Sequence, residues 1–338
     1  MSTQTIIVSL EELVIKDHPY RKLLKLIDFK GLSKTLKEIK KNQDTGRKGY
    51  TVEQCLKMLV LQFMEDLSDR EMERYMKENN SAKLFCGFGL LDNTPDFSYF
   101  SKIRKTIGTN KIGKVFNKVQ SELKKQGFIR EVFTFIDASH LISKMNIWED
   151  RDKLIEKGLE TFNNKALDAI NKKHKKKNKP KIIKGDTQAR IGCKGKKKYW
   201  FGYKRHLTTD MQSGLINKVA ITPANVHDGK AAKHILPDDG ALFGDKAYCI
   251  ESCIRELKRK GLHDCTIKKN NMKIKNKDLD KWFSRLRSSF ESVFSKMPRR
   301  VKYRGIAKNQ FAFFMDAMTF NFKRLIKLNA PPLMFSSV

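Results

Sequence analysis

Acid is scarce in this chain. Its 338 residues carry 70 Lys and Arg against 37 Asp and Glu, a formal net charge of +33. That excess is far beyond what solubility asks. It points to a polyanion: nucleic acid, an anionic membrane or a ribosome-like assembly. No run of about 18 apolar residues occurs, so a membrane span is not expected. The N-terminus MSTQTIIVSLEELVIKDHPY has no basic stretch followed by a long apolar segment, so no signal peptide is read. Cysteine is limited to six scattered residues. Cys249, Cys253, His263 and Cys265 lie near one another, but more loosely than a Cys-x-x-Cys zinc pair, and reduced thiols of a cytosolic protein are expected. The chain also lacks a P-loop glycine motif, and no order of Ser, His and Asp argues for a hydrolase triad.

What is present is apolar enough for a real core, with 40% hydrophobic residues and 22 Phe. The length suffices for two or three domains. Residues 1–125 read as helical. Tyr20 to Lys40 carries apolar residues near helical spacing. Thr51 is placed to cap a helix over Glu53–Leu67, and Ser68 with Glu71 forms a capping-box pattern before Asp69–Lys77. Cys86-Gly87-Phe88-Gly89 reads as a hinge. Helices then follow over Phe97–Ile107 and Asn110–Lys125. Short helices, tight turns and excess Lys suggest helix-turn-helix-like DNA contact, with a helical dimerisation domain as the alternative.

The pattern changes at Glu131. Val132–Ile136 reads as a buried strand. Residues 144–197 form a basic excursion, with a weakly amphipathic helix over 150–177. Lys198–Thr208 and Leu215–Ile221 flank the turn signal Thr209–Gly214 and read as a hairpin. Short elements follow: a helix at His227–Ile235, a strand at Ala241–Gly244, a helix at Cys249–Lys260 and a strand at Leu262–Ile267. Asp278–Lys296 and 306–328 read as the last two helices. Strands joined without core helices and then alternation predict an α/β fold, an RNase-H-like core behind an all-helical N-terminal domain. The boundaries expected are 1–125 and 126–330.

Three acids stand out in that frame. Asp137 ends the run Val132–Ile136, Asp245 ends Ala241–Gly244, and Glu291 sits on the late basic helix. A single Asp after a strand is usually a turn or cap residue. Three acids in this order suit hard divalent cations, which take oxygen ligands. Two such ions about 4 Å apart clamp the attacking and leaving oxygens of a phosphoryl displacement. Arg287 precedes Glu291 by four residues and would share its helix face, for a phosphate or for a plain ion pair. Residues 171–205 hold 15 Lys or Arg and one acid, Asp186. Such clusters meet phosphates without reading bases. Lys204 and Arg205 on the hairpin, Lys246 beside Asp245, and Lys296, Arg299 and Arg300 after Glu291 are the candidate DNA contacts. Asp228 reads as a helix N-cap. Trp148 and Trp200 are candidates to stack on an unpaired base, and Trp282 with Phe283 to anchor the late helix.

These motifs, taken in order, resemble a DDE transposase of bacterial insertion sequences, of the branch called insertion sequence family five. Phe135-Ile136-Asp137-Ala138-Ser139 resembles its first-Asp motif and Gly244-Asp245-Lys246-Ala247-Tyr248 its second. Arg287-x-x-x-Glu291 with Tyr303-Arg304-Gly305 resembles the third. Asp186–Arg190, Phe201–His206 and Thr222–Asp228 resemble the connecting blocks, and Thr94–Ser98 the helical leader. Two positions depart: Ser284 stands where a related signature has Tyr, and Pro298 where it often has Lys or Arg.

The resemblance implies a polynucleotidyl transferase that binds the terminal inverted repeats of its element. It would hydrolyse a phosphodiester and join the freed 3′-OH to target DNA. It implies Mg²⁺ or Mn²⁺, two ions, held by Asp137, Asp245 and Glu291. It further implies double-stranded DNA as partner, a homodimer or higher on DNA, no membrane, and work in the bacterial cytoplasm at the nucleoid. The alternatives are a catalytically silent, transposase-derived DNA-binding protein and a nuclease on the same fold.

Overall fold

The computed structural model describes residues 9–39, 49–143, 186–194, 198–272, 275–288, 290–328 and 330–335. Most of the expected excursion, with its helix over 150–177 and Trp148, lies outside the described residues. The chain divides into two compact units, Met1–Phe128 with Phe314–Val338, and Ile129–Phe313. The residues from Phe314 therefore go with the first unit, whereas the sequence reading assigned them to the second.

The first unit is helical. Its elements are α1 (Leu10–Leu13), α2 (Pro19–Leu26), α3 (Phe29–Ser33), α4 (Val52–Met64), α5 (Asp69–Glu78), α6 (Asn80–Cys86) and α7 (Phe97–Lys125). Ser9, Thr51 and Ser68 each close a capping box with the residue three further on, which satisfies two otherwise orphaned N–H groups apiece. The helix expected over Tyr20–Lys40 is broken. Ile27 is extended and bridges Leu333, Asp28 restarts the chain by accepting from the Gly31 N–H at 2.8 Å, and Lys34–Ile39 is a 3-10 turn. The expected hinge at Cys86 is the end of α6, closed by Gly87 at φ +75°. The two helices expected between Phe97 and Lys125 run on as α7 with one break, at Gly108.

The second unit is built on one six-stranded sheet. The strands are β1 (Phe133–Ile142), β2 (Arg190–Lys194), β3 (Lys198–Asp210), β4 (Ile216–Pro223), β5 (Ala241–Gly244) and β6 (His263–Thr266). β3 pairs antiparallel with β1 along one edge, and with β2 and then β4 along the other. β5 and β6 add in parallel on the far side of β1. The spatial order β4-β3-β1-β5-β6, three antiparallel strands and then two parallel ones, is the RNase-H-like arrangement. The hairpin β3–β4 is closed by the buried Asp210. Its carboxylate accepts from the Ser213 N–H and hydroxyl, both at 2.9 Å, and from the Glu131 N–H at 3.2 Å.

Helices cover both faces of the sheet. α8 (Asp228–Ala231) and α9 (Glu251–Arg259) pack on one: Ile136, Leu242, Tyr248, Cys253 and Leu257 form one buried cluster. α10 (Lys277–Ser288) packs on the other, with Phe283 against Ala241 and Phe243. A 3-10 turn over Glu291–Lys296 and α11 (Ile306–Lys327) complete the chain. The alternation of a strand puts Phe135, Asp137 and Ser139 on the α10 face and Ile136 and Ala138 on the other.

Strand β2 was not foreseen. β1 does not end at Asp137 but runs on to Ile142, because Ala138–Ile142 continue to pair with β3. The helix expected over Asp278–Lys296 stops at Ser288 and resumes as the 3-10 turn.

Candidate active site

β1 changes neighbour along one edge, and Asp137 stands at the change. Its pairing with β5 runs through Phe135 opposite Phe243. Further on, the same edge meets a later segment: the Ile142 N–H donates to the Arg299 carbonyl at 3.0 Å, and the Val301 N–H donates to the Ile142 carbonyl at 2.9 Å. Between these two pairings no strand pairs with this edge of β1 among the described residues. Asp137 lies at the start of that interval. Asp245 lies one residue past the end of β5, and both stand two residues beyond the Phe135–Phe243 pair. Parallel register thus brings the two acids to one level, where neighbouring strands part and ligands are commonly received.

Both carboxylates are half-buried. Asp137 Oδ1 accepts from the Ala138 N–H at 2.8 Å, and Asp245 Oδ1 from the Ala247 N–H at 2.9 Å. Tyr248, three residues past Asp245, is 1% exposed, and its hydroxyl has no hydrogen-bond partner among the described residues. Its pKa is pushed well up, first by burial and then by the negative charges of Asp137, Asp228 and Asp245. One buried phenol therefore feels the negative charge of three acids.

Glu291 opens the 3-10 turn, and its side chain lies outside what the structure describes. Its neighbours locate it. The Phe290 ring packs on Phe135 at 6.0 Å, and Phe294 lies against the Arg205 guanidinium at 5.9 Å. The turn thus sits over the sheet face that carries Asp137. Arg287 is half-buried in the last turn of α10, so it does not share one continuous α-helix with Glu291 as the four-residue spacing suggested. Its carbonyl accepts from the Phe290 N–H at 3.0 Å, which links the helix to the turn.

The candidate DNA contacts separate. Lys246, Lys296, Arg299 and Arg300 are exposed, and Lys246 reaches Asn270 at 3.0 Å. Arg205 is not on a DNA-facing surface: it is 1% exposed and lies between Phe294 and Phe313. Lys204 is tied inward, to Asp228 at 2.9 Å and to the Val226 carbonyl at 2.9 Å, over the ring of Trp200. Asp228 is not the N-cap of α8. His227 is, through Nδ1, which accepts from the Gly229 N–H at 3.2 Å. Asp186, the one acid of the basic stretch, is turned inward. It is buried and accepts from the Tyr203 hydroxyl at 2.7 Å.

Among the described residues no group of three His, Cys, Asp or Glu is arranged to hold a metal ion, and this includes the region of Cys249, Cys253 and Cys265. Asp137 and Asp245 supply oxygen donors only, which fits a hard divalent cation. Glu291 is the third donor that the sequence reading expects.

Residues 8–106 match the transposase domain DUF772, and residues 165–322 match the transposase DDE domain. The chain belongs to the DDE transposases. It carries the pair of domains typical of bacterial insertion-sequence transposases, and it is a polynucleotidyl-transferase-type enzyme that acts on DNA. DDE domains generally use divalent metal ions. Among solved structures, a chain of the cryo-EM structure of the piggyBac transposase synaptic complex with hairpin DNA is similar at 9% identity and a TM-score of 0.38. The match covers 94% of this chain and 77% of that one. No described helix is long and apolar enough to cross a membrane.

Sequence reading passed over two groups that this transposase brings to or near the acids. Tyr248 was quoted only as the end of a motif. The Lys204–Asp228 pair was read as two separate residues, because the 23 positions between them hide the adjacency of β3 and α8. A Tyr three residues after a strand-end Asp, in an otherwise apolar setting, was the available signal.

Proposed function

We propose that Asp137, Asp245 and Glu291 are the metal ligands of this transposase, and that it cuts and joins DNA at the terminal inverted repeats of its element. The observation that carries the reading is the interval along the edge of β1 between its two pairings, with Asp137 at its start and Asp245 level with it. Bound there, Mg²⁺ or Mn²⁺, as a pair of ions, would activate the attacking oxygen and take up charge on the phosphoryl group. The carboxylates of Asp137 and Asp245 would hold the cations. Glu291, over the same face, helps orient water. Arg287, in the turn of helix just before, steadies the scissile phosphate or the glutamate.

The chemistry balances in two displacements. Water attacks phosphorus, its proton leaves to solvent, and the bond from phosphorus to the 3′ oxygen breaks to free a 3′-OH. That hydroxyl then attacks a target phosphodiester, and the target's own 3′ oxygen leaves. No covalent bond to the protein forms. Lys246, Lys296, Arg299 and Arg300 neutralise phosphates along the way, and the helical first unit contributes further DNA contact. Paired element ends require at least a dimer on DNA. The work so described belongs to the bacterial nucleoid, in the cytoplasm.

The test is cleavage and strand transfer with Mg²⁺ or Mn²⁺, comparing the unaltered chain with Asp137→Asn, Asp245→Asn and Glu291→Gln. Loss of one ligand should cost about 4 kcal/mol of transition-state stabilisation, a fall of roughly 10³ in rate. Undiminished joining by any one of the three would overturn its assignment.

A further inference from the structure

The motif Asp186-Thr187-Gln188 has no part in the chemistry above, yet its side chains make long-range contacts. Asp186 Oδ2 accepts from the Gly305 N–H at 2.8 Å and from the Tyr203 hydroxyl at 2.7 Å, while Oδ1 accepts from the Gln188 N–H at 3.1 Å. Gln188 Oε1 accepts from the Ile306 N–H at 2.7 Å. Ile306 is the first residue of α11. Helices are usually capped by the residue just before them. Here Gly305 has no side chain to offer, and the caps come from residues 118 and 119 positions away. A Cβ on Gly305, already at φ +91°, would stand 3.3 Å from Gln188 Oε1.

What this arrangement fixes is the stretch just before α11. Arg299, Arg300, Lys302 and Arg304 fall within six residues, and no acid occurs between Glu291 and Asp316. Arg299, Arg300 and Arg304 are exposed. The stretch is pinned at one end by the backbone pairing of Ile142 with Arg299 and Val301, and at the other by Asp186 and Gln188. A local cap would have needed a side chain at 305, which the φ of +91° there disfavours. A buried carboxylate from another element does more, since it ties the run to β3 through Tyr203.

We propose that Asp186 and Gln188 are positioning residues, a latch that holds Arg299–Arg304 along β1 as a track for a duplex phosphate backbone, with Arg304 as a direct contact. The proposal rests on the catalytic reading for its direction. Ile142 lies five residues along β1 from Asp137, about 17 Å at 3.3 Å per residue. A duplex offers one phosphate per strand for each 3.4 Å of axis, so the track engages it about five steps from the acids.

Binding alone tests this, in the Asp137→Asn background, so that failure of the metal assignment cannot be mistaken for failure of the latch. The probe is a 30-base-pair duplex of random sequence, followed by fluorescence anisotropy between 50 and 300 mM KCl. Arg304→Ala should lower the slope of log affinity against log salt by about 0.9, one phosphate contact. Gln188→Leu should lower it by a similar amount. The double variant should fall no further than either single one, because Gln188 acts through Arg304. An unchanged slope in Arg304→Ala, an exposed position where folding is not at stake, would overturn the track. Fully additive losses in the double variant would overturn the latch.

Discussion

His206 makes a sharp pH prediction. It lies in the middle of β3, opposite Ala138 on β1 and Ala220 on β4, and it is 0% exposed. Its Nε2 is 2.8 Å from the Thr222 hydroxyl. Burial brings its pKa down from 6.5 to about 4, Asp228 opposes the change, and the charges of Lys204 and His234 add to it. Folded His206 therefore stays neutral where an unfolded histidine takes a proton. Between those two values the unfolded chain binds more protons, so stability is complete above pH 6.5 and is lost as pH falls toward 4. One pKa unit is worth about 1.4 kcal/mol, so the full loss is about 3 kcal/mol, of which about 2 kcal/mol has gone by pH 5.

The perturbation is His206→Gln, which keeps a polar group for Thr222 and cannot be protonated. Urea unfolding followed by tryptophan fluorescence at pH 7.5 and 5 gives the comparison. The unaltered chain should lose about 2 kcal/mol more than the variant over that interval, since all other titrating groups are common to both. The C2-proton resonance that vanishes in the variant should show no inflection above pH 5. Parallel stability curves, or an inflection near 6.5, would refute the burial argument. Protonation would also place a cation beside Lys204, which already spends its charge on Asp228, so acid should loosen the join of β3 and α8.

Two further outcomes follow from the packing. Asp210→Ala removes the acceptor of the Ser213 and Glu131 N–H groups inside the β3–β4 hairpin, and should cost about 3 kcal/mol or more in thermal or urea unfolding. Phe290→Ala removes the ring that seats Glu291 on Phe135. Strand transfer should fall at least tenfold with a loss of about 1 kcal/mol or less in stability, because the ring is only half-buried; equal rates would show that the turn is held by other contacts.

Much of the second unit was legible because its strands are short apolar runs between turn residues. The hairpin, β5, β6 and the helices between them were read at nearly their observed places. β1 was cut short for a physical reason. Past Ile136 the strand carries Asp137, Ser139 and His140, so the apolar signal is interrupted while the pairing continues. β2 was missed because Arg190–Lys194 is basic and short, and its strand character comes from β3. The late helix was read as continuous because Phe283, Leu286, Phe290 and Phe294 keep an apolar spacing near 3.6 residues; the break at Ser288 lets the last two rings reach the sheet.

The choice among the late glutamates shows what the fold adds. Glu251, Glu256 and Glu291 all follow Asp245 in basic surroundings, and spacing alone favoured Glu291 only through Arg287. That support fails, since the helix ends between the two residues. The sheet supplies a better reason. Glu251 and Glu256 lie on α9, which buries Cys253 and Leu257 on the face of Ile136 and Leu242. Both glutamates face solvent-side partners there, Arg255 at 2.7 Å and Arg259 at 2.9 Å. Asp137 belongs to the opposite face by strand alternation. The turn that begins at Glu291 is the segment whose flanking rings, Phe290 and Phe294, rest on that face. The segment that begins at Glu291 therefore lies on the Asp137 side of the sheet, and α9 with Glu251 and Glu256 on the other.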